Sequence, residues 1–125
     1  MATNKKVILI TDDEAVIRSL LTRVLTEAGY EVLSAACGEE AIELARTVPI
    51  DLMLLDINMP GIGGIEALRQ IRKHLDPSRI IMLTTITAQA TANMVMELGV
   101  SDYLTKPIDL QTLKKAVQTH LLFAA

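Results

Sequence analysis

The sequence predicts an α/β fold in which helices cover both faces of a parallel sheet. Five segments of strand character alternate with five segments of helical periodicity. The inner strand segments are almost continuously apolar, which is typical of strands buried on both faces. With 125 residues, of which 50% are hydrophobic and 22% charged, the chain fits one packed domain spanning residues 1–125.

The predicted strands differ in how apolar they are. The first, third and fourth are rich in Ile, Leu, Val and Met, whereas the second and fifth contain fewer apolar residues and are more polar. Because a central strand is buried on both faces, the apolar segments are predicted to form the interior of the sheet. In chain order the five strands are predicted at 6–11, 31–35, 51–55, 80–84 and 102–105.

The intervening segments have apolar residues at spacings of three and four, the period of an amphipathic helix. Gly29 supplies a stop for the first helix, Gly99 supplies one for the fourth, and Asp109 is a plausible N-cap for the fifth. In chain order the helices are predicted at 14–28, 39–47, 64–75, 87–98 and 109–122.

Composition excludes several functional classes. A formal charge of −3 and an aromatic content of 2% argue against direct binding of nucleic acid, which needs a basic surface or stacking side chains. Cys37 is the one cysteine, so no intrachain disulfide is possible and a reducing compartment is expected. The N-terminal apolar run, 7–10, is too short for a signal peptide or a membrane span. These features predict a cytoplasmic protein that does not enter a membrane.

Polar residues follow four of the predicted strands at the point where each strand ends. Asp12 and Asp13 follow the first, Asp56 the third, Thr84 closes the fourth, and Lys106 follows the fifth. Each has an ordinary explanation as a helix cap, a turn residue, a strand former or a solvated side chain. Their coincidence favours a site, because ligands of open parallel sheets bind at the carboxyl ends of the strands.

The three acidic residues predict a divalent cation. Clustered carboxylates repel one another unless a cation offsets their charge, and a ligand set made only of oxygen suits Mg²⁺. No His or Cys is placed to indicate zinc. A metal, a nucleophilic carboxylate, a hydroxyl and an ammonium group together are the parts required for phosphoryl transfer.

The segments "LLDINMPG" and "LTKPI", together with Asp12-Asp13 and Thr84, closely resemble the receiver domain of two-component response regulators. The resemblance covers nearly the whole chain. It implies a flavodoxin-like, doubly wound sheet of five parallel strands in the order 2-1-3-4-5, with five helices. It also implies a protein that is not an enzyme beyond catalysing its own phosphorylation and dephosphorylation.

The resemblance also implies roles for individual residues. Asp56 would be the phosphoacceptor, with a sensor histidine kinase or a phosphotransfer protein as the donor. Asp13 would bind Mg²⁺ directly, Asp12 would hold it through water, and the Asn58 carbonyl would complete the protein ligands. These assignments make Asp56 the centre of the predicted site.

Further residues are implied to sense the phosphoryl group. Lys106 would pair with one of its oxygens, Thr84 would bond another, and Tyr103 would act as an aromatic switch that follows Thr84 inwards. The bond between Lys106 and Pro107 is expected to be cis. The signal would leave through helices 87–98 and 109–122, towards a downstream effector protein or a second copy of the chain.

Four positions near the site bear on access to it. Thr85 replaces a small residue usual in the family and is expected to crowd the site, and Gly63 replaces an acidic residue with little expected effect. Asn58 and Ile86 occupy positions that influence attack by water. The bulk of Ile86 is expected to slow dephosphorylation.

Three other readings remain open from the sequence. A haloacid dehalogenase-like phosphatase would carry an aspartate where Asn58 stands, and a flavin-binding electron carrier would not place Asp12 and Asp13 at its phosphate loop. A receiver-like interaction module that is not phosphorylated is the third. The chain is either a stand-alone receiver or part of a longer protein.

Overall fold

The computed structural model describes residues 5–85 and 89–123, where a five-stranded parallel sheet lies between two layers of helices. The strands are β1 (Val7–Thr11), β2 (Glu31–Ala35), β3 (Leu52–Asp56), β4 (Ile80–Thr84) and β5 (Asp102–Thr105). The helices are α1 (Ala15–Glu27), α2 (Gly38–Thr47), α3 (Gly63–Ile71), α4 (Gln89–Glu97) and α5 (Leu110–Phe123). A short 3₁₀ helix, Pro77–Arg79, precedes β4.

The strand order in the sheet is β2-β1-β3-β4-β5, and every neighbouring pair is parallel. This confirms both the predicted fold class and the predicted order. All residues of β3 and β4 are buried, whereas β2 and β5 form the edges and are partly exposed. The most apolar strands therefore lie inside the sheet, with a strand on each side and helices on both faces.

Side-chain alternation along each strand produces two separate hydrophobic cores. Leu52 and Leu54 point to the face that α1 and α5 cover, whereas Met53 and Leu55 point to the face covered by α2, α3 and α4. All four side chains are at most 1% exposed. Burial on both faces holds β3 firmly, up to the residue with which it ends.

The observed bounds differ from the predicted ones mainly around β3 and α3. The strand predicted at 51–55 lies at Leu52–Asp56, because Asp51 instead accepts a 2.7 Å hydrogen bond through Oδ2 from the backbone N–H of Val7. The helix predicted at 64–75 ends at Ile71, and turns follow it. Leu75 stays buried at the end of those turns, which explains why its apolar side chain looked helical.

The last two helices agree with the prediction in type. Asp109 accepts a 2.9 Å hydrogen bond from the backbone N–H of Gln111, so the predicted N-cap of α5 is confirmed. The predicted start of the fourth helix lies partly outside the described residues. Within α4, Val95 is buried and Met96 is 48% exposed.

None of the helices in the described parts of the chain has both the length and the apolar content needed to cross a membrane.

Candidate functional site

The sequence-predicted site residues meet at one rim of the sheet. Asp56 is the last residue of β3 and Thr84 the last of β4, while Asp12 follows β1 directly and Lys106 follows β5 directly. Since parallel strands bring their carboxyl ends to the same edge, this placement follows from the strand directions.

The three acidic side chains form a compact cluster. One carboxylate oxygen from each of Asp12, Asp13 and Asp56 lies within 4.8 Å of the other two. Asp12 and Asp56 are buried, at 0% and 2% exposure, whereas Asp13 is exposed and keeps the cluster open to solvent on one side. A hard oxygen donor set with an open side has the chemistry that a hydrated divalent cation requires.

Lys106 supplies the positive charge next to the cluster. Its Nζ donates to Asp12 Oδ2 at 2.6 Å and to Asp56 Oδ2 at 3.1 Å, and it lies 3.8 Å from Glu14 Oε1. One ammonium group therefore serves two buried carboxylates, with two more acidic side chains close by. This leaves a net negative charge at the rim, so the residues present fit a bound cation.

The electrostatics of the site favour a charged Lys106 and penalise a charged Asp56. Burial raises the pKa of Asp56 above its ordinary value, and the hydrogen bond from Lys106 opposes that rise only in part. Burial alone would lower the pKa of Lys106, but its hydrogen bonds to Asp12 and Asp56 and the negative charges of these two carboxylates together outweigh burial, so the pKa is raised. We conclude that the cost of burying charge falls on Asp56 and that the ammonium stays protonated.

Backbone hydrogen bonds fix the position of Asp56. Its Oδ1 accepts from the backbone N–H of Asn58 at 3.1 Å. The next residue, Ile57, donates its N–H to the carbonyl of Leu83 on β4 at 3.0 Å and accepts from the N–H of Gly64 at 2.9 Å. The phosphoacceptor candidate is therefore held from the neighbouring strand and from the start of α3.

The loop after β1 is held in a similar way. Asp12 Oδ1 accepts from the backbone N–H of Glu14 at 2.9 Å, and the Asp12 N–H donates to the carbonyl of Ala35 at 3.2 Å. Arg18, from the second turn of α1, donates Nη1 to the carbonyl of Asp12 at 2.7 Å. These contacts aim one Asp12 oxygen at its own loop and leave the other for Lys106.

Thr84 on β4 and Tyr103 on β5 are hydrogen-bonded to each other. Thr84 is fully buried, and its carbonyl accepts from the Lys106 N–H at 2.7 Å. Burial raises the pKa of Tyr103, whereas a hydrogen bond with the Thr84 side chain acts in the opposite direction. The half-buried Tyr103 is thus in contact with the hydroxyl that was expected to move it. The expected cis bond between Lys106 and Pro107 is confirmed.

The positions that bear on access are also placed by the structure, except for Ile86, which lies outside the described residues. Asn58 and Thr85 are both exposed, and Asn58 Nδ2 donates to Thr85 Oγ1 at 3.1 Å. Gly63 has a φ of +75°, a left-handed value that glycine adopts without strain, which gives a physical reason for its departure from the acidic residue.

Sequence reasoning missed two residues near the site. Glu14 approaches Lys106, and Arg18 anchors the Asp12 backbone. Glu14 had a signal, because it follows two aspartates at the same strand end. Arg18 had none beyond its place on the first helix, since its reach back to a carbonyl depends on the loop conformation.

The family model for the response regulator receiver domain matches residues 8–118. The chain is 37% identical over 114 residues to the response regulator UvrY of Escherichia coli K12, which covers 90% of this chain and 52% of that relative. It is 36% identical over 118 residues to the alkaline phosphatase synthesis transcriptional regulatory protein PhoP of Bacillus subtilis, covering 94% of this chain and 49% of the relative. The chain thus spans about half the length of these curated relatives.

Solved structures agree with the sequence comparisons. A CheY-like receiver domain protein from Methanospirillum hungatei superposes with a TM-score of 0.90 at 28% identity, covering 94% of both chains. The response regulator TrrA from Thermotoga maritima, solved in complex with Mg²⁺ and BeF, has a TM-score of 0.82 at 37% identity, covering 92% of this chain and 98% of that one. These matches favour a receiver over a phosphatase or a flavin carrier. The chain belongs to the family of response regulator receiver domains.

Proposed function

We propose that Asp56 accepts a phosphoryl group from the phosphorylated histidine of a sensor kinase or phosphotransfer protein, in a reaction that uses Mg²⁺. One observation carries the proposal: three carboxylates lie within 4.8 Å of one another while a buried ammonium contacts two of them. This combination of an acidic cation site and a nucleophilic carboxylate suits phosphoryl transfer.

The carboxylates of Asp12, Asp13 and Asp56, with the carbonyl of Asn58, would hold the metal. Bound Mg²⁺ supplies charge neutralisation for the phosphoryl oxygens. Asp13 is the exposed member of the cluster and Asp12 the buried one. The resemblance to receiver domains implies that Asp13 is the direct ligand and that Asp12 acts through water, and these roles are part of the proposal.

The residues of the chain supply nucleophile, position and charge. An oxygen of the Asp56 carboxylate forms a bond to phosphorus while the bond from phosphorus to the donor's histidine nitrogen breaks, and its electron pair leaves with the imidazole. The buried β3 keeps that carboxylate fixed for in-line attack. Lys106 then pairs with one phosphoryl oxygen and Thr84 with another. The protein is proposed to catalyse only its own phosphorylation and the later hydrolysis.

The output is proposed to leave through the surface that α4, β5 and α5 form. Thr84 moves towards the phosphoryl group, and Tyr103 follows because the two side chains are hydrogen-bonded. On α4, Met96 is exposed and Ala92 half-buried, which supports contact with an effector protein or with a second copy of the chain. Ala88, four residues before Ala92 in the sequence, lies outside the described residues.

The proposal also covers the extent of the domain, its location in the cell and the class of its partners. Residues 1–125 are taken as one receiver domain, and the absence of paired cysteines supports a cytoplasmic location. The acidic net charge of −3 supports partners that are proteins rather than nucleic acids.

Intact mass spectrometry tests the proposal. Wild type and Asp56→Asn are incubated with acetyl phosphate and Mg²⁺, with Asp76→Asn as a control because Asp76 is an exposed aspartate elsewhere in the chain. Wild type and the control should each gain one phosphate, and Asp56→Asn should gain none. Removal of Mg²⁺ with a chelator should abolish the gain. Phosphate on Asp56→Asn, or none on wild type, would contradict the proposal.

A further inference from the structure

Arg18 on α1 contacts the main chain of the acidic loop and not its carboxylates. Its Nη1 donates to the carbonyl oxygen of Asp12 at 2.7 Å, and the residue is half-buried. Within the part of the chain that the structure describes, no carboxylate forms an ion pair with Arg18. The cation that contacts the acidic cluster is Lys106. The charge of Arg18 therefore strengthens a hydrogen bond to a peptide carbonyl.

The contacted carbonyl belongs to the peptide bond between Asp12 and Asp13. Two other contacts hold Asp12: its N–H donates to the carbonyl of Ala35 at 3.2 Å, and its Oδ1 accepts from the N–H of Glu14 at 2.9 Å. Neither of them involves the carbonyl that Arg18 contacts. Because a peptide unit is planar, holding its oxygen also holds the direction in which the chain leaves towards Asp13.

Asp13 needs this support more than the other two members of the acidic cluster. Asp12 and Asp56 are buried and both accept from Lys106, whereas Asp13 is exposed. One carboxylate oxygen of Asp13 nevertheless lies within 4.8 Å of oxygens of the other two. The position of this exposed carboxylate therefore depends on the backbone that carries it.

We infer that Arg18 is a positioning residue for the cation site. By holding the peptide bond between Asp12 and Asp13, it keeps the Asp13 carboxylate turned towards the rest of the cluster and so raises the affinity for Mg²⁺. The inference rests on the proposed function and deepens it, since it names a residue outside the acidic cluster on which metal binding depends.

The expected size of the effect follows from where Arg18 acts. Loss of a partner that orients a metal ligand directly typically costs about 10- to 100-fold in metal affinity. Arg18 orients the backbone next to the ligand and not the ligand itself, so its loss should cost about three- to tenfold. Repulsion between the guanidinium and Mg²⁺ acts in the opposite direction, but solvent and salt screen it at this open site.

Magnesium titration of the unphosphorylated protein tests the inference. Arg18→Met removes the donor and the charge but keeps an unbranched side chain that suits a helix. Arg23→Met makes the same change on the same helix, at an arginine whose partner is Glu27 and not the loop. Followed by backbone NMR shifts, the Kd for Mg²⁺ should rise about three- to tenfold in Arg18→Met and stay within about twofold of wild type in Arg23→Met.

The metal-free protein gives a second readout. The N–H of Asp13 belongs to the same peptide unit as the carbonyl that Arg18 contacts. Its NMR resonance should therefore shift in Arg18→Met and stay close to wild type in Arg23→Met.

The loading of phosphate separates positioning of the metal from general damage to the site. With acetyl phosphate, Arg18→Met should load about three- to tenfold more slowly than wild type at Mg²⁺ concentrations below the Kd. At saturating Mg²⁺ it should load within about twofold of the wild-type rate, because the residues that contact the phosphoryl group are unchanged.

The outcomes distinguish the inference from the proposed function. An unchanged or lower Kd in Arg18→Met, an equal rise in both variants, or slow loading that saturating Mg²⁺ does not restore would overturn the inference alone. Weaker Mg²⁺ binding in Arg18→Met together with a wild type that takes up no phosphate would overturn the proposed function alone. A wild type that binds no Mg²⁺ would overturn both.

Discussion

At the scale of single residues, the site is governed by the sharing of one lysine between two buried acids. Lys106 contacts Asp12 and Asp56 at hydrogen-bonding distance, and its side chain is only 10% exposed. A buried carboxylate that loses its partner costs far more than an exposed one. The lysine thus contributes to the stability of the fold as well as to the proposed chemistry.

Replacing this lysine should destabilise the protein. We expect Lys106→Met to lower the free energy of unfolding by about 2 to 3 kcal/mol in the absence of metal, the low end for breaking a buried ion pair, because the site is open on one side. Urea unfolding at neutral pH measures the loss. Because the pKa of Lys106 is raised, the loss should persist up to pH 10.5 and shrink only as pH rises through the folded value.

A matched control is Lys114→Met, which changes an exposed lysine on α5. It should alter the free energy of unfolding by no more than about 0.5 kcal/mol. Equal losses in the two variants would show that the contacts of Lys106 with the acids contribute nothing to stability.

Replacing Asp56, the proposed phosphoacceptor, should have the opposite effect on stability. The raised pKa of Asp56 means that the folded protein favours the neutral side chain more than the unfolded chain does, so Asp56→Asn should be more stable than wild type at neutral pH. The gain should be present above the folded pKa and lost as pH falls through it to below 3.8, the ordinary value. Denaturant unfolding in chelator at both ends of that range is the measurement, and a gain independent of pH would contradict it.

At the scale of elements, the position of Asp56 depends on how closely the start of α3 approaches the end of β3. A Cβ added at Gly64 would lie 2.6 Å from the Cα of Ile57 and would also collide with the carbonyl oxygen of Asp56. Both obstacles are backbone atoms, which cannot move aside as a flexible side chain can. The glycine therefore allows the helix to seat against the strand end.

We expect Gly64→Ala to lower the free energy of unfolding by about 3 kcal/mol or more, because the backbone beneath Asp56 must shift. Gly63→Ala is the matched neighbour: its Cβ would meet open space, but its φ of +75° should cost about 1 kcal/mol. Thermal and urea unfolding compare the two. A loss for Gly64→Ala no larger than that for Gly63→Ala would contradict the close approach.

The elements also show which parts of the fold can be predicted from the sequence. The spans of β2, β4 and β5 agree with the predicted ranges, because apolar and β-branched runs are bounded there by turn residues. The predicted end of α3 at residue 75 was wrong. The apolar Leu75 continues the helical spacing, although the helix ends at Ile71 and the chain turns after it. Periodicity records which side chains are buried, and a buried side chain at the end of a turn gives the same pattern.

The sequence predicted which residues form the candidate site better than it predicted the hydrogen bonds between them. Residues at the ends of parallel strands meet through topology alone, so the grouping of Asp12, Asp56, Thr84 and Lys106 followed once the strands were recognised. The hydrogen bond between Asn58 and Thr85 was not predictable, because it depends on the conformations of two loops. Contacts between loop side chains leave no periodic trace in a sequence.

At the scale of the whole molecule, the proposed signal must pass from a buried strand to a surface. The hydrogen bond between Thr84 and Tyr103 links β4 to its neighbour β5, which is an edge strand of the sheet. We expect Tyr103→Phe to load phosphate on Asp56 within about twofold of the wild-type rate, since the ring stays and only the hydroxyl is lost.

The output of that variant should nevertheless be weaker. On phosphorylation, the backbone NMR shifts of α4 and β5 should change less in Tyr103→Phe than in wild type, because the link to Thr84 is missing. Tyr30→Phe, which removes a hydroxyl on the face of α1 and α5, is the control and should leave those changes as they are. Full-sized changes in Tyr103→Phe would show that the hydroxyl plays no part in the transmission.

The strand that carries Asp56 and the strand that carries Tyr103 are unequally supported. Asp56 ends a strand that is buried from its first residue to its last, whereas every residue of β5 is at least partly exposed and pairs with one neighbour only. Charge added to the rigid strand can be relieved most easily where the sheet is least constrained. Because β2 is also an edge strand and lies as many strands away from β3 as β5 does, strand order alone leaves two sides open, and the contact between Thr84 and Tyr103 is what would favour the β5 side.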